Sequence, residues 1–102
     1  MVRYQESDEK RLDALGRANA VRSARAELKR ELTSGNVAIE EVIARPPGFA
    51  ERAKVADLLL AVPGLGPART TGLLVRSQIP YGRTLTSLSE RQRTALISLL
   101  RS

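Results

Sequence analysis

Apolar residues along this chain recur at helical spacing, and no stretch alternates β-branched or aromatic residues with polar ones as a half-buried strand does. Advancing each residue of the first third by about 100°, the α-helical period, places Ala14, Val21, Leu28 and Leu32 on one stripe. This pattern predicts a long first helix. It should start after Ser7, a good N-cap followed by Asp8 and Glu9, and end at "TSGN", where Gly35 suits a C-terminal cap. A shorter helix is predicted from Val37 to Ala44, stopped by Pro46 and Pro47, with one further turn in "GFAERA". Three more are predicted: Lys54 to Val62, Pro67 to Ser77 and Glu90 to Arg101. The fold class expected is all-α.

The length of 102 residues fits one domain, 1–102, in which a segment dominated by the long helix, 1–35, precedes a helical core, 36–102. Cysteine and histidine are absent, which excludes disulfides, most zinc sites and every catalytic arrangement built on Cys/His or Ser/His/Asp. No catalytic, cofactor or metal residues are therefore assigned, and a non-enzymatic protein is expected. No apolar run approaches the roughly 20 residues that cross a bilayer, and "MVRYQESDEKR" lacks the apolar core of a signal peptide. A cytoplasmic location without membrane partner or small-molecule substrate is the expectation.

The net charge of +6 points to a polyanion, and its distribution says more than its sum. Residues 1–51 carry nine basic and nine acidic side chains; residues 52–102 carry eight basic ones and only Asp57 and Glu90 against them. All the net charge lies in the second half. Within the neutral first half the charges of the first helix separate by face, with Asp13, Glu27 and Glu31 on one side and Arg11, Arg22, Arg25 and Lys29 aligned on another. That basic stripe is either a solvated face or a second contact along phosphates.

Between two apolar helical stretches lies "VPGLGPARTTGLL", whose hairpin spans 63–66. Pro63 breaks one helix, and Gly64 and Gly66 permit backbone angles closed to other residues while keeping side chains away from the amides. Pro67 then occupies the preferred first position of the next helix. The unpaired N–H groups there, with the positive end of the helix dipole, make a site for one phosphate. Leu65 should point into the core and pin the loop. Arg69, Gly72 and Arg76 share a stripe on the following helix, so cations flank the amides; Gly72 serves either a close ligand approach or close helix packing. Pro63 is either an exposed wedge for a minor groove or simply a turn former. Farther on, Ser89 and Gln92 make a capping box for the last helix. Arg91 should share its polar side with Thr94, Ser98 and Arg101, while Leu96, Leu99 and Leu100 face the core. The Arg83 loop with Thr84, Arg91 or Arg93, and the hairpin amides are expected to reach neighbouring phosphates of one duplex, with Lys54 as a further contact.

The hairpin resembles the helix-hairpin-helix phosphate-binding motif, with Ala68 where that motif often has lysine and Arg69 one place later. The linker "IPYGRTLTSL" before another helix resembles the related helix-two-turns-helix arrangement. Over essentially the whole chain, the Arg/Ala-rich first helix, "KVADLLLAVPGLG" and "RTLTSLSERQRTALISLL" are similar to the actinobacterial integration host factors, small nucleoid-associated proteins that bind duplex DNA. This resemblance implies a long N-terminal helix packed on a helix-two-turns-helix core and a protein that organises the chromosome in the nucleoid. Members of that family often carry a denser basic segment between the last two helices; here Arg83 is followed by Thr84 and Thr86, which implies a weaker grip of the same kind.

With aromatics limited to Tyr4, Phe49 and Tyr81, the chain offers no stacking platform for single strands. Amides, arginines and hydroxyls hold phosphates without reading bases, so the expected function is architectural: largely sequence-nonspecific binding of double-stranded DNA that bends or compacts it. A monomer is expected, with DNA bridging through the first helix open to it. The alternatives are an RNA-binding protein of the ribosomal helix-two-turns-helix type, without that family's long basic tail, and a helical protein-docking module.

Overall fold

The computed structural model describes the backbone of residues 6–101 and the side chains of residues 16–101. Five α-helices run in the order α1 (Glu6–Ser34), α2 (Ile39–Ala44), α3 (Val55–Leu60), α4 (Pro67–Arg76) and α5 (Glu90–Arg101), with 3₁₀ turns at Gly48–Ala50 and Leu85–Ser87. The expected all-α class and the order of helices hold. Glu6 is already helical, so Ser7 lies inside α1 rather than capping it; the side chains of Ser7, Arg11, Asp13 and Ala14 lie outside the described residues.

Gly35 ends α1 as its sequence position suggests. Its φ of +83° is the left-handed conformation that glycine adopts without strain, Asn36 N–H donates to the Glu31 carbonyl at 3.0 Å, and Gly35 N–H donates to that of Leu32 at 3.3 Å. These two bonds form a Schellman motif, which pairs carbonyls a helix end otherwise leaves bare. The same closure recurs after α4, where Ile79 N–H reaches the Leu74 carbonyl at 2.8 Å. There the left-handed residue is Gln78, at φ +59°, held by the Gln92 side-chain amide, which donates to its carbonyl at 2.8 Å.

The core is aliphatic. Ile43 of α2, Leu58 and Leu59 of α3, Leu74 of α4, Leu85 of the second 3₁₀ turn and Leu96 of α5 are fully buried, and Leu28 and Leu32 of α1 close one side. Each such leucine contributes about 1.5–3 kcal/mol through the apolar surface it removes from water. Leu100 packs partly against this cluster together with Ile97, whereas Leu99 is half-buried and faces the surface between α4 and α5. That corrects its placement in the core.

Helix α3 is shorter than its apolar run implies. At its start Lys54 is extended and pairs with Thr84 as an isolated antiparallel bridge, so the helix begins one residue later. At its end the amides of Ala61 and Val62 donate three residues back, to Leu58 and Leu59, which tightens the chain into the hairpin. Helix α2 likewise begins at Ile39, because Ala38 is extended and serves as its N-cap.

Candidate nucleic-acid interface

The hairpin has the form its glycines require. Gly64 sits at φ +85°, Leu65 is buried, and Pro63, Gly64, Gly66 and Pro67 are exposed. Leu65 is pinned twice: its N–H donates to the Val62 carbonyl at 3.3 Å, and its own carbonyl accepts from the buried Thr70 hydroxyl at 3.4 Å. With Thr70 N–H satisfied by the Gly66 carbonyl at 3.0 Å, the N–H groups of Gly64, Gly66, Ala68 and Arg69 meet no acceptor among the described residues. They form a cradle of donors at the positive end of α4. Arg69 folds back to donate to the Gly64 carbonyl at 3.3 Å, which brings its cation beside these amides.

Lys54, Arg83 and Thr84 come together through backbone pairing. Val55 N–H donates to the Arg83 carbonyl and Leu85 N–H to the Ala53 carbonyl, both at 3.0 Å, while the Thr86 amide and hydroxyl both donate to the Glu51 carbonyl. This clip clamps the segment before α3 to the loop before α5 and turns Lys54 outward beside Thr84. The Thr84 hydroxyl, expected at a phosphate, is engaged locally: it lies 3.0 Å from the Ser87 hydroxyl in a capping box of the second 3₁₀ turn. The box anticipated for α5 forms, with Gln92 N–H donating to Ser89 Oγ at 3.1 Å and Ser89 N–H to Gln92 Oε1 at 2.9 Å.

Two arginines on α5 part company. Arg91 is exposed and borders a surface hollow with Arg76, Ser77 and Gln78. Arg93 is half-buried, donates to the Leu85 carbonyl at 3.0 Å and has its Nε buried without an acceptor among the described residues. It holds the 3₁₀ turn against α5. On α4, Arg69, Gly72 and Arg76 line another hollow with Leu73 and Leu99. A Cβ at Gly72 would meet nothing within 4 Å, so close helix packing does not account for this glycine.

On α1, Arg22 and Lys29 are exposed, and Arg25 is half-buried with its Nε donating to the Phe49 carbonyl at 2.9 Å. Two further cations join them that the helical stripe did not single out: Arg17 on α1, and Arg52 after the first 3₁₀ turn. The signal for Arg52 was a period of two, since Arg52 and Lys54 are exposed while Ala53 and Val55 are buried. Among the described residues no helix is long and apolar enough to cross a membrane, and no group of three or more acidic side chains stands where a metal ion could be held.

No family model matches the chain. It is 37% identical over 99 residues to the integration host factor of Mycolicibacterium smegmatis and, over the same length, 37% identical to that of Mycobacterium tuberculosis; each alignment covers 95% of this chain and 94% of the relative. The integration host factor of Streptomyces coelicolor is 32% identical over 90 residues, covering 86% of this chain and 84% of that protein. Among solved structures, that of sIHF bound to an 8 bp palindromic DNA superposes with a TM-score of 0.72 at 31% identity, over 84% of this chain and 96% of that one.

Proposed function

The chain belongs to the actinobacterial integration host factor family, and we propose that it is an architectural protein of the nucleoid that binds duplex DNA through its phosphates. The observation that carries this reading is the pairing of unsatisfied hairpin amides with cations on the flanking elements: Arg69 beside the amides, Lys54 and Arg83 on the clip, Arg91 at the start of α5. The structural relative at 31% identity is itself bound to DNA. Gly64 and Gly66 keep side chains off the amides, Leu65 fixes the loop from inside, and Pro63 stands at its crest. Arg93 and Thr84 act here by positioning the Arg83 loop, and Arg22, Arg25 and Lys29 extend the charge on the α1 side.

Such groups recognise the backbone and leave base edges unread, so binding is largely independent of sequence, and any preference reflects the deformability of the duplex. The role needs no catalysis. A titration against matched random-sequence DNA and RNA duplexes of about 20 base pairs at several salt concentrations tests it. DNA should bind better, with log K falling against log salt by about 0.9 per phosphate neutralised. Preference for the RNA duplex would assign the site to RNA, and absence of binding to both near physiological salt would make the hairpin a docking corner for protein.

A further inference from the structure

The capping box of α5 also builds one wall of a hollow. Gln92 is engaged in both directions: its Oε1 accepts from Ser89 N–H at 2.9 Å, and its Nε2 donates to the Gln78 carbonyl at 2.8 Å. This latches the end of α4 to the start of α5. Between the latched ends lies a hollow of about 470 Å³, edged by the exposed Arg76 and Arg91, with Ser77 as its one buried lining residue.

The groups left over there can all donate. Ser89 Oγ accepts the Gln92 N–H at 3.1 Å and keeps its own proton to give. The N–H groups of Glu90 and Arg91, first in a helix of 12 residues, meet no acceptor among the described residues and stand at the positive end of its dipole. Neither Arg76 nor Arg91 is paired with a carboxylate among the described residues, and no carboxylate lines the hollow. Ser77 points to a ligand independently of these. It is 3% exposed, its N–H is satisfied by the Leu73 carbonyl at 3.0 Å, and its Oγ is buried with no partner among the described residues. A buried hydroxyl left unpaired is unfavourable in a native protein, and a ligand oxygen that accepts its proton removes that penalty.

Two cations, convergent donors and no acidic neighbour select an anion with several acceptor oxygens, which a phosphate group supplies. Ala95 is the one apolar side chain in the lining and no aromatic ring is present, so nothing there stacks on a base. The volume is that of a small-molecule site. We propose that the hollow between Arg76, Ser77 and Arg91 binds a compact phosphoanion from solution, of the sugar-phosphate or inorganic pyrophosphate class, at a place separate from the hairpin amides. A phosphate of the duplex shares this chemistry, but Ser77 lies below the two rim arginines, whereas the hairpin presents its amides at an exposed crest. Arg91 borders the hollow and also serves the DNA interface, so an occupant should weaken DNA binding. That consequence rests on the DNA-binding reading above; the site itself does not.

The test is a titration of the full chain with sodium pyrophosphate at constant ionic strength, followed by amide NMR, alongside its Ser77→Ala and Arg76→Ala variants, with thermal melts to confirm their fold. Saturable shifts are expected at Gln78, Glu90 and Arg91, and each variant should bind about tenfold more weakly, the loss of a hydrogen bond to a charged group. A Ser77 that only packs would leave the affinity unchanged. Shifts confined to Gly64, Gly66 and Ala68, or equal affinity in parent and variants, overturn the proposal. So does a DNA duplex that moves the same α5 amides and loses as much affinity in Ser77→Ala, because the hollow then belongs to the duplex. Pyrophosphate should lower the DNA affinity of the parent severalfold more than that of Ser77→Ala. A parent that takes up pyrophosphate in the hollow yet binds no duplex would sink the DNA-binding reading and leave the anion site standing.

Discussion

The inner and outer halves of α1 are one helix with two different supports. In the inner half Leu28 and Leu32 are 5% and 2% exposed, and Thr33 ties the last turn to the end of α3. In the outer half residues 16–20 are all exposed, and none of them enters the buried core. A polar helix free of tertiary contact is marginal in water, because most helical stability in proteins comes from burying one face. The same sequence periodicity therefore serves the fold at one end of α1 and leaves side chains for a ligand at the other. The comparison teaches that charge on a helix face acquires meaning only from what the opposite face packs against.

The largest effect should come from the inner half. Leu32→Ala removes a nearly buried side chain and leaves a cavity that the packed core closes only in part, at a cost of about 2–5 kcal/mol. Urea denaturation should show that loss, while Ala18→Ser, on the exposed outer half, should leave the midpoint within the error of about 0.5 kcal/mol expected for surface changes. Equal costs at the two positions would mean that the outer half also packs.

The division between fold and ligand extends to arginines two residues apart on α5. Arg93→Ala strips the Leu85 carbonyl of its donor and removes a half-buried stem, which should cost about 1–3 kcal/mol. Arg91→Ala should leave stability unchanged and weaken DNA binding. Chemical denaturation and a DNA titration on both variants check the pair, and reversed effects would exchange the two roles.

Glycines divide in the same way. Gly64→Ala forces a Cβ into the left-handed region and should cost about 1–2 kcal/mol. Gly72→Ala meets open space in mid-helix and should add up to about 1 kcal/mol. Were Gly72→Ala to raise the melting temperature while lowering DNA affinity, the glycine would belong to the ligand rather than to the fold. A stabilised variant with unchanged affinity would remove Gly72 from the interface.

Much of this was legible in the chain because the signals are local. Apolar spacing gave the helices, Gly35 and the Ser89–Gln92 pair marked helix ends, and the two hairpin glycines with Pro67 announced the amide cradle. What stayed hidden depends on partners distant in sequence. That Arg93 spends its guanidinium on Leu85, that Thr84 closes a turn with Ser87, and that Arg52 comes to stand opposite Arg17 and Arg22 follow from the packing of the elements. The later start of α3, at Val55, is of the same kind: helix propensity runs through Lys54, and pairing with Thr84 overrides it. Charge counted along the chain located the net excess after residue 51, yet the surface joins it to arginines of the neutral half.

The smallest global effect is the most pointed. Gly16 is exposed in the outer half of α1, and a Cβ there meets nothing within 4 Å, so Gly16→Ala should favour the local helix by about 1 kcal/mol. If the outer half is energetically separate from the core, circular dichroism should gain helical signal at low temperature while the cooperative unfolding midpoint stays where it was. DNA affinity on a long duplex should rise, because less ordering of the Arg17 and Arg22 turns remains to be done on binding. A shift of the unfolding midpoint by the full local gain would instead show that the two halves of α1 melt as one unit, and the division drawn between them would then lie in burial alone.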